Sequence, residues 1–305
     1  GMQGIPESFC FDALPDDLAH IEPMLDKATQ RFPELAEAGI QLFFNGPESF
    51  TVDDRYLLGE TPEVRNLFVA CGFNSIGIQS SGGAGKVLAE WMRDGKPPMD
   101  LWDVDVRRTF AFQTEPEFLR QRTEETLGLL YAMHWPHQQY ATSRNARLSP
   151  LHETLLSHGA VMGELAGRGR PNWYAHGSEK EYRHTYGKPN WFDACAHECT
   201  AVRDHVALFD QSSYPVFWVS GVEALTCLQR LCANQMDVGN DQIVYTQWLN
   251  ADAGIEADVT ITRTGADQFM VVAPCASEGR DWAWLRRHAR EFDCQIEQDH
   301  DLAII

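Results

Sequence analysis

Apolar positions along the chain switch between a helical spacing and a strand spacing, and the switches mark its elements. In residues 5–35, Ile21, Met24, Leu25 and Ala28 recur at helical spacing behind Pro15-Asp16-Asp17, so one helix is predicted there, with acids at its positive end. Residues 39–44 (Gly-Ile-Gln-Leu-Phe-Phe) read as a strand that Asn45-Gly46-Pro47 turns. The apolar run Leu67–Ala70 predicts a buried strand, followed by a glycine-rich turn. Val87, Leu88, Trp91 and Met92 then form one face of a helix that Gly95 and Pro97-Pro98 stop. Gly82, Gly83 and Gly85 are expected to leave the start of that helix bare, so its free N–H groups can approach an electron-rich ligand. A further helix is predicted over Glu115–Met133, and Val202, Val206, Leu208 and Phe209 mark another. Beyond it come a strand at 216–219, a helix at 222–232, strands at 243–249, 255–263 and 268–273, and a helix at 282–290. The mixture is an α+β fold.

The stretch between the third and fourth helices is rich in aromatic loops, among them His134-Trp135-Pro136-His137, Arg170-Pro171-Asn172-Trp173-Tyr174 and Tyr186-Gly187-Lys188-Pro189-Asn190-Trp191-Phe192. Burial of large rings accounts for Trp173 and Trp191 better than chemistry does.

Composition narrows the function. A net charge of −19 argues against a basic nucleic-acid surface, and no apolar run approaches membrane-spanning length. Eight cysteines occur without a CxxC pair, which fits reduced thiols in a cytoplasmic protein. Cys195-Ala-His197-Glu-Cys199 lacks a second ligand pair at finger spacing, so no metal is expected.

The strings Asn45–Thr51, Tyr56–Glu60 and Gly72–Trp102 resemble the flavin-facing segment of the dimethylglycine and sarcosine dehydrogenases, in which an FAD-dependent amine-oxidising half is joined to a tetrahydrofolate-binding half. The order of elements after His197 is similar to the start of the glycine-cleavage T-protein, an aminomethyltransferase. The resemblance implies three parts. Residues 2–105 correspond to the C-terminal part of the FAD oxidoreductase domain, 106–195 to its connecting segment and 196–305 to the N-terminal part of the folate domain. No GxGxxG occurs, so the FAD pyrophosphate site is expected to be incomplete, and the folate site is expected to be incomplete because the sequence ends soon after the first part of that domain. A separate FAD-binding half is then the expected partner. Without it the chain should be colourless and inactive alone, and uncovered apolar surface should favour homo-oligomers.

The resemblance also implies site residues. Asn74, Gly82, Gly83 and Gly85 would face FAD, while Tyr245 and Asp258 would face tetrahydrofolate, with Asp258 as the proton acceptor in one-carbon transfer. The substrate implied is a small methylated amine. Two departures from the family pattern stand out: Ala253-Gly254 where Gly-Gly is usual, and Ala273-Pro274-Cys275 where an Asn is usual. Read without the resemblance, Asp258 is an ordinary acid near a hairpin and Tyr245 a strand aromatic. The architecture is also similar to the regulatory subunit of pyruvate dehydrogenase phosphatase, so a non-catalytic interaction protein and a stand-alone folate-binding module are the competing readings.

Overall fold

The computed structural model describes residues 8–175, 177 and 179–305, which divide into two units, Gly1–Ser49 and Phe50–Ile305. In the first, α1 spans Leu18–Arg31 and starts directly after Pro15-Asp16-Asp17, as the sequence predicts. Asp17 caps it by accepting from the His20 N–H at 3.1 Å. The predicted apolar face is unburied. Residues 39–44 are not a strand, and Leu42 and Phe44 are exposed. A strand exists only when a neighbour pairs with its backbone, and none pairs here.

The second unit opens with the antiparallel pair β1 (Leu57–Glu60) and β2 (Phe68–Cys71). Helix α2 follows at Gly77–Asp94. Its Trp91 is buried over β1, where Gly59 has φ +115° and a Cβ would overlap the Trp91 ring by standing 2.6 Å from it. Gly95, at φ 71°, ends α2 in the left-handed cap that the sequence predicts. Helix α3 (Pro116–Leu130) comes next, a little shorter than predicted, then the short α4 (His152–Ser157). The aromatic stretch holds a hairpin, β3 (Ala160–Leu165) with β4 (Arg168–Tyr174), that its sequence did not suggest. Trp173 is buried there, and Tyr182 stands edge-on to both Trp173 and Trp191, so these rings serve as packing, as expected. Helix α5 covers Phe192–Asp204 and ends before Val206, Leu208 and Phe209, which lie exposed beyond it because His205 turns to an extended conformation.

The last third is one antiparallel sheet, ordered β6-β7-β8-β5-β9, with β5 at Val216–Ser220, β6 at Ile243–Leu249, β7 at Ile255–Gly265, β8 at Gln268–Val272 and β9 at Gln295–Asp299. Helices α6 (Ala224–Leu231) and α7 (Glu278–Ala289) cover one face. Alternation decides which side chains go in. Phe217 and Val219, Trp248, Ala257, Val259 and Ile261, Phe269 and Val271 point to the helices and form the core with Leu228 and Leu285. The intervening residues point the other way, and among them Tyr245 and Asp258 are exposed.

A buried ionic joint ties this sheet layer to the middle of the chain. Glu278, the first residue of α7, accepts from Arg147 at 2.6 and 2.9 Å, from Arg168 at 3.4 Å and from the Gln298 amide at 2.5 Å. Burial works to raise its carboxyl pKa, but the hydrogen bonds and charges of Arg147 and Arg168 outweigh it and hold the group below its usual range. Beside it, Gly279 lies so close to the Arg107 carbonyl that a Cβ would collide with it, and the Arg280 guanidinium sits 5.0 Å over the Trp102 ring.

Candidate functional site

The β6–β7 hairpin brings together two residues singled out in the sequence. Gln247 pairs with Asp258 and Tyr245 with Thr260, so Tyr245 and Asp258 are diagonal neighbours on the open face of the sheet. The Tyr245 hydroxyl donates to Asp258 Oδ2 at 2.5 Å. This bond favours the neutral phenol and pushes the Tyr245 pKa up. Both side chains are exposed, so the pair is available to a ligand lying on the sheet.

The turn beside them is held by Asn250. Its Oδ1 accepts from the Asp252 N–H at 3.0 Å and the Gly254 N–H at 2.8 Å, while its Nδ2 donates to Glu256 at 2.8 Å. A Cβ at Gly254 would stand 2.8 Å from the Asn250 amide, so a larger residue there would have to displace the side chain that pins the turn. Ala253 sits at φ +63°, a left-handed conformation in which alanine is strained by about 1–2 kcal/mol. The substitution noted in the sequence therefore has a measurable cost. Ala253→Gly relieves the strain but returns about 0.4–1 kcal/mol to the unfolded chain as entropy. The expected net result is about 0.5 kcal/mol of added stability, read as a rise of roughly 1–2 °C in the thermal midpoint. A lower midpoint would show that the turn is not strained.

On the flavin side the helix starts earlier than the sequence predicts. Helix α2 begins at Gly77, with Ile76 at its cap, and Gly82, Gly83 and Gly85 lie in its interior. Their N–H groups are spent on the carbonyls four residues back. The glycines do leave the helix surface open, since nothing stands within 4 Å of a Cβ built on any of the three. The bare N-terminus instead consists of Gly77, Ile78 and Gln79, and no side chain caps it. The chain enters it through Asn74 and Ser75, both at positive φ (48° and 63°). Asn74 is buried and holds this turn. Its Oδ1 accepts from the Thr51 N–H at 2.8 Å, and its Nδ2 donates to the Gly72 carbonyl at 2.8 Å. Its amide is thus occupied by the protein itself. The propensity cost of interior glycines, about 1 kcal/mol each, hid the true start of the helix from the sequence. Lys96, just past α2, forms an ion pair with Asp252 in the hairpin turn and links the two candidate regions.

Comparison with known families follows the same order along the chain. Residues 4–91 match the model for FAD dependent oxidoreductases, 94–149 that for the FAD dependent oxidoreductase central domain, and 151–304 that for the GCVT N-terminal domain. Human mitochondrial sarcosine dehydrogenase is 33% identical over 302 residues, covering 90% of this chain and 33% of that protein. The chain belongs to the dimethylglycine and sarcosine dehydrogenase family. Within the reach of that family, 4-methylaminobutanoate oxidase (formaldehyde-forming) of Paenarthrobacter nicotinovorans is 48% identical over 281 residues, covering 90% of this chain and 34% of its own length. The mouse pyruvate dehydrogenase phosphatase regulatory subunit is 37% identical, covering 90% of this chain and 32% of its own length. The chain thus spans about a third of the length of these family members. The third match begins at Leu151, so it takes in the β3–β4 hairpin as well as the five-stranded sheet.

Proposed function

We propose that this protein serves the FAD-dependent oxidation of a small methylated amine and the transfer of the released carbon to tetrahydrofolate. The observation that carries the reading is the exposed Tyr245–Asp258 pair, held on a pinned hairpin inside the region that matches the GCVT N-terminal domain. Relatives named sarcosine dehydrogenase and 4-methylaminobutanoate oxidase support the substrate class, since both names denote compounds that carry an N-methyl group.

FAD, when bound, supplies acceptance of a hydride from the carbon next to the amine nitrogen. The donors that fit it are the uncapped N–H groups of Gly77, Ile78 and Gln79, whose positive helix end suits a ring edge that gains negative charge. The open surface at Gly82, Gly83 and Gly85 allows close approach along the same helix. On the folate side, Asp258 takes the proton of the attacking nitrogen, and the Tyr245 ring offers an apolar face. The Tyr245 hydroxyl fixes the carboxylate through its hydrogen bond.

Titration with tetrahydrofolate, followed by tryptophan fluorescence, tests the reading. Saturable quenching is expected. Tyr245→Ala, which removes the ring and one hydrogen bond, should weaken binding about tenfold, the equivalent of roughly 1.4 kcal/mol. Binding that ignores Tyr245→Ala, or no binding at all, would remove the folate half of the proposal.

A further inference from the structure

Gln247 shares the open face of the sheet with Tyr245 and Asp258. It stands directly across the β6–β7 ladder from Asp258 and two residues along β6 from Tyr245, so the three side chains project to one side. The edge strand is held from outside at both of its contributing residues. The Ala233 N–H donates to the Gln247 carbonyl at 2.9 Å, and the Asn234 amide donates to the Tyr245 carbonyl at 2.7 Å. Gln247 is partly exposed, so its carboxamide is within reach of a ligand on this face. Tyr245, Thr260, Val272 and Val216 form one cross-strand row beside it, which runs from exposed Tyr245 through half-buried Thr260 and Val272 to buried Val216. A flat ring can lie on that row while its polar edge turns to Gln247 and Asp258.

These two side chains offer different chemistry. The Tyr245 hydroxyl occupies Asp258 Oδ2 and leaves Oδ1 as an acceptor for a ligand N–H. The Gln247 carboxamide carries two N–H donors and one carbonyl. Because Tyr245 gives its proton to Asp258, its oxygen can only accept from Gln247. In that sense the Gln247 amide works against the upward push of Asp258 on the Tyr245 pKa. The nitrogen end of the carboxamide is therefore the end held toward the site, and its second N–H remains for a ligand carbonyl beside the Asp258 carboxylate.

We propose that Gln247 is the specificity residue of this face: its carboxamide N–H donates to the C4 carbonyl of the reduced pterin ring and so brings N5, not N10, to Asp258. The inference rests on the folate reading of the site. In tetrahydrofolate the C4 carbonyl and N5 sit on adjacent ring carbons, whereas N10 lies on the arm that leaves the ring. Directly opposed side chains on neighbouring strands stand about 5 Å apart at Cβ, which suits two adjacent ligand groups. Asp258 alone would accept an N–H from either nitrogen, so the choice needs a second contact.

The test compares tetrahydrofolate with tetrahydroaminopterin, in which an amino group that donates replaces the C4 oxygen that accepts. Binding of each to the whole chain is measured by calorimetry without oxygen. The parent protein is expected to favour tetrahydrofolate about tenfold, the worth of one hydrogen bond with a mismatched donor pair avoided. Gln247→Leu should bind the two ligands alike, and Gln247→Glu, which presents only acceptors, should favour the 4-amino ligand. A methyl group on N5 of tetrahydrofolate should weaken binding to the parent more than one on N10, because N5 is the nitrogen placed against Asp258. The ligand comparisons on the parent need no variant, so they decide the matter even where a substitution disturbs the hairpin. Equal binding of the two ligands by the parent, a preference that survives both substitutions, or an N10 methyl that does the greater harm would overturn the inference and leave the folate reading standing. If the parent binds neither ligand, the folate reading falls and the inference falls with it.

Discussion

Under the proposed function, and with the FAD-binding half supplied, Asp258→Asn is expected to slow one-carbon transfer to tetrahydrofolate by about a hundred- to ten-thousandfold, the usual loss for a missing general base, and to leave amine oxidation nearly unchanged. The reasoning rests on the hairpin. Asp258 is exposed on the open face of the sheet and receives the Tyr245 hydroxyl at 2.5 Å. Asparagine has the same shape and still offers that hydroxyl a carbonyl oxygen, so the hairpin should keep its geometry. What it lacks is a basic oxygen to take the proton of the attacking nitrogen. Oxidation of the amine, followed with an artificial electron acceptor, draws on FAD and has no need of this carboxylate. The carbon released should then appear as free formaldehyde instead of methylene-tetrahydrofolate. Should the variant transfer carbon as fast as the parent, Asp258 is a hairpin residue and nothing more.

Loss of Glu278 should damage the fold itself. Glu278→Gln keeps the size of the side chain but removes the charge that faces Arg147 and Arg168, both largely buried. Removing one member of a buried ion pair typically costs about 3–5 kcal/mol, because the remaining charge has no counter-charge. At roughly 2–4 °C per kcal/mol for a domain of this size, the thermal midpoint should drop by about 6–20 °C.

The same carboxylate sets an acid limit. Its folded pKa lies below the ordinary 4.5, because the two arginines more than offset the effect of burial. A depressed carboxylate pKa contributes stability above the unfolded value, and that stability is lost as pH falls through the folded one. The parent protein should therefore weaken below about pH 4.5, and Glu278→Gln should show a flatter acid limb. Equal steepness in the two proteins would mean that the arginines do not act through Glu278.

Strict alternation of apolar residues made the central strands and the helices that cover them legible in the sequence. The run of β6, β7 and β8 lies within two residues of its predicted bounds, because a half-buried strand must present every second residue to the core. Gly95 was equally legible, since a left-handed cap selects glycine. The family was legible as well, from motifs spread along most of the chain.

Other elements exist only through their neighbours. Strand β4 contains Arg168, Arg170 and Pro171, and β9 reads Gln-Ile-Glu-Gln-Asp. Neither has an intrinsic strand signal, and each is a strand because β3 or β5 pairs with it. The reverse holds for residues 39–44, whose apolar run has no partner and forms no strand. Tertiary structure also decided the site. It moved the bare helix end from Gly82 to Gly77, turned the Asn74 amide inward, and placed Tyr245 on Asp258 across a hairpin. It joined Glu278 to Arg147 and Arg168 over separations that no local pattern records. Spacing along the chain sets local geometry through backbone periodicity, whereas pairing of distant polar groups depends on which surfaces the packed core brings into contact.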